Sequence, residues 1–327
     1  MKQGAVISAP LFALYVNPLL IRLQKCKQGC YMGGICANAF AYADDIVILA
    51  PTCTALNNII AICENYANEY KIIFNPDKCS ILTFLNNDFH FNNVNIYICG
   101  SKVKVANNEK HLGHIFSSSY NLIDMQQVIR DIKVRTNVIL NQFRYLSWHA
   151  KVTLFLSQCS TFYGCPLWNL EDKNVEKLCT AWKVCCRKIL GLEDDSRSDL
   201  LHHIMNTLPI REMIMYRMLC FVKSGINHEN SVIAKKFKNT LLSNSSYAII
   251  NVNTILMHLK LSYNFLFTEN NNNRTKALFQ CNMKKPDWRS NMLKELLDMK
   301  ENYLYCDLSQ VEVNEIIDHI SRSRLYP

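Results

Sequence analysis

Apolar and polar positions change their period near residue 120. Before that point the chain mixes short apolar runs with one clear amphipathic stretch. Ser8 is positioned to cap a helix beginning near Ala9, with Pro10 in the first turn. Leu11, Leu14, Tyr15, Leu19 and Arg22 follow at helical spacing, and Pro18 is expected to kink that helix or end it early. Ala39-Phe40-Ala41 and Ile46–Ala50 read as buried strands on either side of a polar tip. From Ala55 to Tyr70, Leu56, Ile59, Ile60, Cys63 and Ala67 share one helical face. Lys71–Phe74 and Ser80–Phe84 look like strands around the Asn75-Pro76-Asp77 turn. Val94–Ile98 and Lys102–Val105 suggest a hairpin centred on Gly100.

After residue 120 the apolar spacing is helical, over 122–147, 149–163, 171–190, 197–205, 209–224 and 230–242. Pro166, Gly191, Pro209 and Gly225 punctuate these segments. Residues 268–276 are polar and of low complexity, which predicts a loop, and 287–327 are expected to add two helices. With 327 residues, 49% of them hydrophobic and 19% charged, the chain has the composition of a globular protein of about two domains. No apolar run reaches the length of a membrane span, and no secretion signal is legible at the N-terminus. The fifteen cysteines are odd in number and irregular in spacing, which favours reduced thiols in an intracellular protein of the nucleus or cytoplasm. Cys26, Cys30 and Cys36 form the densest group but lack the second ligand pair of a zinc finger. The net charge of +9 is uneven: residues 121–260 carry 18 basic and 11 acidic side chains. That excess suits a phosphate backbone, and equally an ordinary basic helical region.

The chemistry concentrates at Tyr42-Ala43-Asp44-Asp45. Two carboxylates about 4 Å apart repel by roughly 4 kcal/mol at an effective dielectric near 20. A hard divalent cation, Mg²⁺ or Mn²⁺, removes that repulsion and takes oxygen ligands. The alternative is a solvated hairpin turn, in which Asp is common.

Four blocks then occur in order: Lys2–Phe12, Tyr42–Asp45, Asn75-Pro76-Asp77-Lys78 and His111-Leu112-Gly113. This series resembles the second half of a reverse transcriptase (RNA-directed DNA polymerase) palm, most like those of non-LTR retrotransposons. The resemblance covers residues 1–120 and extends weakly over 121–225, through Tyr163–Trp168 and Arg187–Leu192. It implies an α+β fold, a partial palm with an incomplete antiparallel sheet over 1–120. An all-α thumb or connection over 121–225 would follow, then a helical region over 226–327 with no assigned role.

The resemblance also implies roles. Asp44 and Asp45 would hold the catalytic Mg²⁺ or Mn²⁺. Tyr42 and Ala43 would lie under the primer end, and Gln3 and Gly4 beside the incoming deoxynucleotide and template. Lys78 would protonate departing pyrophosphate, the alternative being a surface lysine. Leu112 and Gly113 would belong to a primer-grip hairpin, the alternative being a core leucine beside a turn glycine. His111 has no role. The partners implied are an RNA template, a DNA primer and deoxynucleotides, with no membrane. Two departures stand out. Ala9 separates Ser8 from Pro10 where the family joins serine to proline directly. The chain is also expected to be N-terminally truncated, lacking the fingers and the strand that bears a third catalytic carboxylate. Asp88, Asp124 and Asp131 are the acids available in its place, so independent catalysis is expected to be lost. Two other readings compete: a non-catalytic helical nucleic-acid-binding or interaction protein, in which Phe143, Tyr145 and Trp148 stack bases, and a degenerate retrotransposon product without function.

A palm sheet lacking a central strand leaves backbone groups unpaired. The chain is therefore expected to be poorly soluble or to associate with another chain that completes the sheet. Sedimentation velocity checks this, and a monodisperse, cooperatively unfolding monomer would overturn it.

Overall fold

The computed structural model of the chain describes residues 7–32, 34–84, 95–118, 125–228, 247–268, 271–283, 288–301, 314, 316–318 and 321. It divides into two compact units. One comprises Met1–Leu122 with Lys235–Thr240, and the other Ile123–Ala234 with Leu241–Pro327. The first mixes helices with small sheets and the second is helical, an α+β architecture.

In the first unit α1 (Ser8–Cys26) is followed by the hairpins β1 (Cys30–Met32) with β2 (Ile35–Ala37), and β3 (Ala39–Tyr42) with β4 (Asp45–Ile48). Next come α2 (Cys53–Tyr70) and a 3₁₀ turn at Pro76–Lys78. The strands β5 (Ser80–Leu82), β6 (Tyr97–Ile98), β7 (Ser101–Lys102), β8 (Lys104–Ala106), β9 (Asn108–His111) and β10 (His114–Ser117) complete the unit. Among the described residues these strands form five separate two-stranded ribbons. Four are antiparallel, and β5 with β8 is parallel.

Helix α1 differs from expectation at its start and continues past Pro18. Ile7, in a right-handed conformation, stands at the cap position without a side-chain cap, so Ser8 lies inside the first turn. Pro18 sits within the helix and does not end it. Its ring removes one backbone donor, but Val16, Leu19 and Leu23 bury the same face on both sides of it, and that packing outweighs the lost bond. Helix α2 matches its predicted stripe. Ala55, Ile59, Ile60, Cys63, Tyr66 and Ala67 are buried, and the Thr52 side chain accepts from the Ala55 amide at 3.1 Å as an N-cap.

Two clusters meet on α2. Ile59, Cys63 and Tyr66 pack with Leu19 and Leu23 of α1, and Ala39, Ile46 and Ile48 lie against this core. Ile60 packs with Ile96 and Val103, with Cys79, Ile81 and Ile98 against them. Burial raises the Cys63 thiol pKa to about 12, which makes it an unreactive core group. At the edge of the α1–α2 contact, Tyr66 stacks on Tyr70 at 4.2 Å, and Tyr15 meets Tyr70 edge-on at 5.7 Å. Arg22 lies 5.1 Å over Tyr66 and donates to both Glu69 carboxylate oxygens, at 2.7 and 3.1 Å. That bond raises the arginine pKa and lowers that of the carboxyl.

Two predicted strands are revised. Residues 71–74 are irregular: Lys71 closes α2 in a left-handed conformation, and the Ile72 amide donates back to Ala67 O at 2.9 Å. Ile72 and Phe74 face the core while Ile73 is exposed, so the side chains alternate without a partner strand among the described residues. The strands around Asp44 are not buried on both faces, as the next subsection describes. The hairpin at Gly100 forms between β6 and β7, and the Val103 amide extends it by donating to Ile96 O at 2.9 Å.

The second unit contains α3 (Met125–Gln142), α4 (Trp148–Cys159), α5 (Lys173–Leu190), α6 (Ser198–Ile204), α7 (Ile210–Ile226), α8 (Tyr247–His258), α9 (Asn272–Asn282) and α10 (Trp288–Glu301). Phe155, Phe162, Trp168 and Trp182 form its aromatic centre, with neighbouring rings 4.6 to 6.3 Å apart. Buried Asn251 of α8 donates to Trp168 O at 2.6 Å and accepts from the Leu170 amide at 3.0 Å, tying the chain between α4 and α5 to α8. Helix α9 occupies residues 272–276 of the loop expected over 268–276. Asn271 caps it by accepting from the Arg274 amide, and Thr275 and Phe279 bury its inner face. The helix predicted over 230–242 lies outside the described residues. Among the described residues no helix is long and apolar enough to cross a membrane.

Gly29 sits where the end of α1 meets β2. A Cβ there would lie 2.4 Å from the Asn38 Cβ and 2.5 Å from Ala37 O. Gly29→Ala is expected to destabilise the first unit by about 1–3 kcal/mol, the usual range for overpacking. Urea unfolding of the two proteins side by side measures this.

Candidate active site

The β3–β4 hairpin is a two-residue turn closed by the pair Tyr42↔Asp45, with Ala43 and Asp44 at its tip. Alternation assigns the two faces. Ala39↔Ile48 and Ala41↔Ile46 share one, and Ala39, Ile46 and Ile48 rest on the α1–α2 core. Phe40↔Val47 and Tyr42↔Asp45 share the other, where Phe40, Tyr42 and Asp45 are exposed. The strands read as buried because their apolar residues run without interruption. A two-stranded ribbon has only one face covered by helices, and the other meets water.

Asn38 anchors the base of this ribbon. It is buried, its amide nitrogen donates to Leu23 O of α1, and its backbone carbonyl accepts from the Leu49 amide at 2.8 Å. No periodicity or motif marks Asn38, and its contact partner lies fifteen residues away in sequence. Sequence reasoning passed over it for that reason.

The other predicted residues lie on separate elements. Lys78 is exposed at the end of the 3₁₀ turn, where the Asn75 side chain accepts from the Asp77 amide at 3.0 Å. Leu112 and Gly113 form the turn between β9 and β10, with φ of 47° and 81°, the signature of a primed two-residue hairpin. His111 ends β9, its ring 6.4 Å from Phe116. Strand β5, which follows Lys78, touches β9, which leads to Leu112. Gln3 and Gly4 lie outside the described residues. The hairpin thus brings together Tyr42, Ala43, Asp44 and Asp45, while Lys78 belongs to the 3₁₀ turn before β5 and Leu112-Gly113 to the β9–β10 ribbon.

The donor chemistry at the tip fits a hard cation in part. Mg²⁺ usually keeps several waters and takes one or two carboxylates together with substrate phosphates. Adjacent exposed carboxylates at Asp44 and Asp45 match that partial set. Among the described residues no three His, Cys, Asp or Glu side chains gather to hold a metal. Asp88 and Asp124 lie outside the described residues. Asp131 is on α3 of the second unit, where its carboxylate accepts from Gln127 Nε2 at 2.6 Å.

The tip carries backbone strain. Ala43 has φ of 52°, a left-handed conformation that costs a non-glycine residue about 1–2 kcal/mol. Glycine would relieve this and would lose roughly 0.5–1 kcal/mol in chain entropy. Ala43→Gly is therefore expected to raise the thermal unfolding midpoint slightly. A lowered midpoint in calorimetry would show that the turn is unstrained.

Residues 1–149 match the family model described as reverse transcriptase (RNA-dependent DNA polymerase). The match spans residues 1–122 of the first unit, all of α3 and the first residues of α4. No curated protein and no solved structure matches the chain. The family match supports a reverse transcriptase domain over residues 1–149, in a family that binds template, primer and deoxynucleotides and generally uses divalent metals.

Proposed function

We propose that residues 1–120 act as a partial RNA-directed DNA polymerase palm of the non-LTR retrotransposon type, with the β3–β4 hairpin as its metal-binding element. The observation that carries this reading is the pair of exposed carboxylates, Asp44 and Asp45, at the tip of a ribbon inside the family-matched region. Of two divalent cations held there, one would lower the pKa of a primer 3′ hydroxyl and the other would stabilise the departing pyrophosphate. The chain's own residues do the positioning. Tyr42, on the same face as Asp45 and 67% exposed, offers a ring for the terminal primer nucleotide. Ala43 keeps the tip narrow beside it. Lys78 supplies a proton to the leaving pyrophosphate, and the Leu112-Gly113 turn supports the primer backbone. The helices that follow serve as thumb and connection.

Two-cation chemistry needs a further bridging carboxylate. The reading includes a second chain that completes the sheet beside the ribbon and brings this acid. Mn²⁺ titration followed by electron paramagnetic resonance, together with primer extension on an RNA template, tests the proposal. In the chain alone Mn²⁺ binding should depend on Asp44 and Asp45, and incorporation should not exceed that of Asp44→Ala. Mn²⁺ binding unchanged in the Asp44→Ala, Asp45→Ala double variant would refute the metal hairpin. Template-dependent incorporation above the Asp44→Ala level would refute the need for a second chain.

A further inference from the structure

The turn that ends α3 has a composition that solvent does not favour. Phe143, Arg144, Tyr145 and Leu146 are all exposed, Tyr145 to 85%. The turn is nevertheless well bonded: the Phe143 amide donates to Ile139 O at 3.0 Å, and the Leu146 amide to Phe143 O at 3.1 Å. The Arg144 guanidinium lies 4.5 Å over the Tyr145 ring and donates to its hydroxyl. Trp148, a few residues on, behaves differently. It is buried and donates from Nε1 to Asp298 at 2.9 Å, so it belongs to the core and is unavailable for stacking. Of the three aromatic residues that qualified by sequence, two present rings to water.

The solvent face of α3 leads directly into this turn. Arg130, Lys133, Asn137 and Asn141 are exposed and recur at three- and four-residue spacing, which aligns them on one stripe. Asp131 lies off that stripe, with its carboxylate held by Gln127. A cationic ridge ending in exposed aromatic rings, with Arg144 over one face of Tyr145, complements a polymer that is anionic along its backbone and carries flat, unpaired rings. Single-stranded nucleic acid has that chemistry, and each base stacked on an aromatic ring contributes about 1–3 kcal/mol. A duplex can use the ridge but has no free base face to offer the rings.

We propose that Phe143 and Tyr145 form a stacking platform for unpaired nucleobases, with Arg130, Lys133 and Arg144 holding the adjoining phosphates. The platform lies in the second unit, apart in sequence from the Asp44–Asp45 hairpin, and rests on the polymerase reading only for the class of its ligand.

Fluorescence anisotropy of the full chain with fluorescein-labelled oligouridylate, oligothymidylate and a mixed-sequence duplex tests it. Phe143→Ala with Tyr145→Ala should weaken binding of a single strand about 5-fold or more and leave duplex binding unchanged. Tyr145→Phe should retain single-strand binding. Lys133→Gln should weaken all ligands alike and flatten their salt dependence. Tyr163→Ala removes another exposed ring of the same unit and should have no effect, and circular dichroism melts establish that each variant is folded. Loss with either the RNA or the DNA single strand supports the platform and identifies which strand it takes. Equal loss for single strand and duplex would overturn it, as would no loss or no binding by the unaltered chain. Ring removal that dissociates an oligomer while sparing oligonucleotide binding would assign the patch to protein contact and also overturn it. The Mn²⁺ readout of the hairpin is independent of these results, so either proposal can fail alone.

Discussion

Helix α2 is the constraint on which the first unit depends. It buries two adjoining stripes, Ile59, Cys63 and Tyr66 against α1, and Ile60 against Ile96 and Val103. The ribbon with the paired carboxylates rests on the first core, and β5 and β6 on the second. With only two-stranded ribbons among the described residues, sheet cooperativity contributes little, since an isolated hairpin is marginal in water. The helix supplies the apolar surface that the sheet does not. The Arg22, Glu69 and tyrosine cluster closes the far edge of the same interface, so the α1–α2 contact is held by both apolar and charged groups.

Much of this was legible because burial follows period. The stripe from Ala55 to Ala67 appeared at helical spacing and is the buried face of α2, and the helices α3 to α7 lie within or close to their predicted limits. The misses share one cause, which is that side-chain direction is local while pairing and coverage are not. Residues 71–74 alternate in and out as a strand would, but no second strand lies alongside among the described residues. The apolar runs flanking Asp44 looked buried on both faces because their pattern cannot reveal that only one face has a covering helix. Pro18 failed to break α1 because distant contacts from α2 outweigh one missing hydrogen bond. Helix α9 was hidden by its asparagines, of which Asn271 is the cap and not evidence of a loop.

The candidate site divides in the same way. The carboxylates and their turn followed from adjacent residues, and the hairpin forms where the spacing put it. Asn38 was invisible because its role arises from a contact across the fold. The three aromatics near 145 had equal standing in sequence, and only the docking of Trp148 on Asp298 separates the core ring from the open ones. Local motifs thus announce chemistry, while the groups that hold the chemistry in place appear only once the chain has folded.

The tip of the β3–β4 ribbon also bears on the history of such a chain. Asp44 and Asp45 are exposed, and the residues that fix the ribbon lie below them, at Ala39, Ile46 and Ile48. Exposed positions of this kind tolerate replacement within about 0.5 kcal/mol. Selection on folding therefore does not protect the two carboxylates. Under the proposed reading, what would hold both acids in place is the cation they bind, and their loss would leave the scaffold standing.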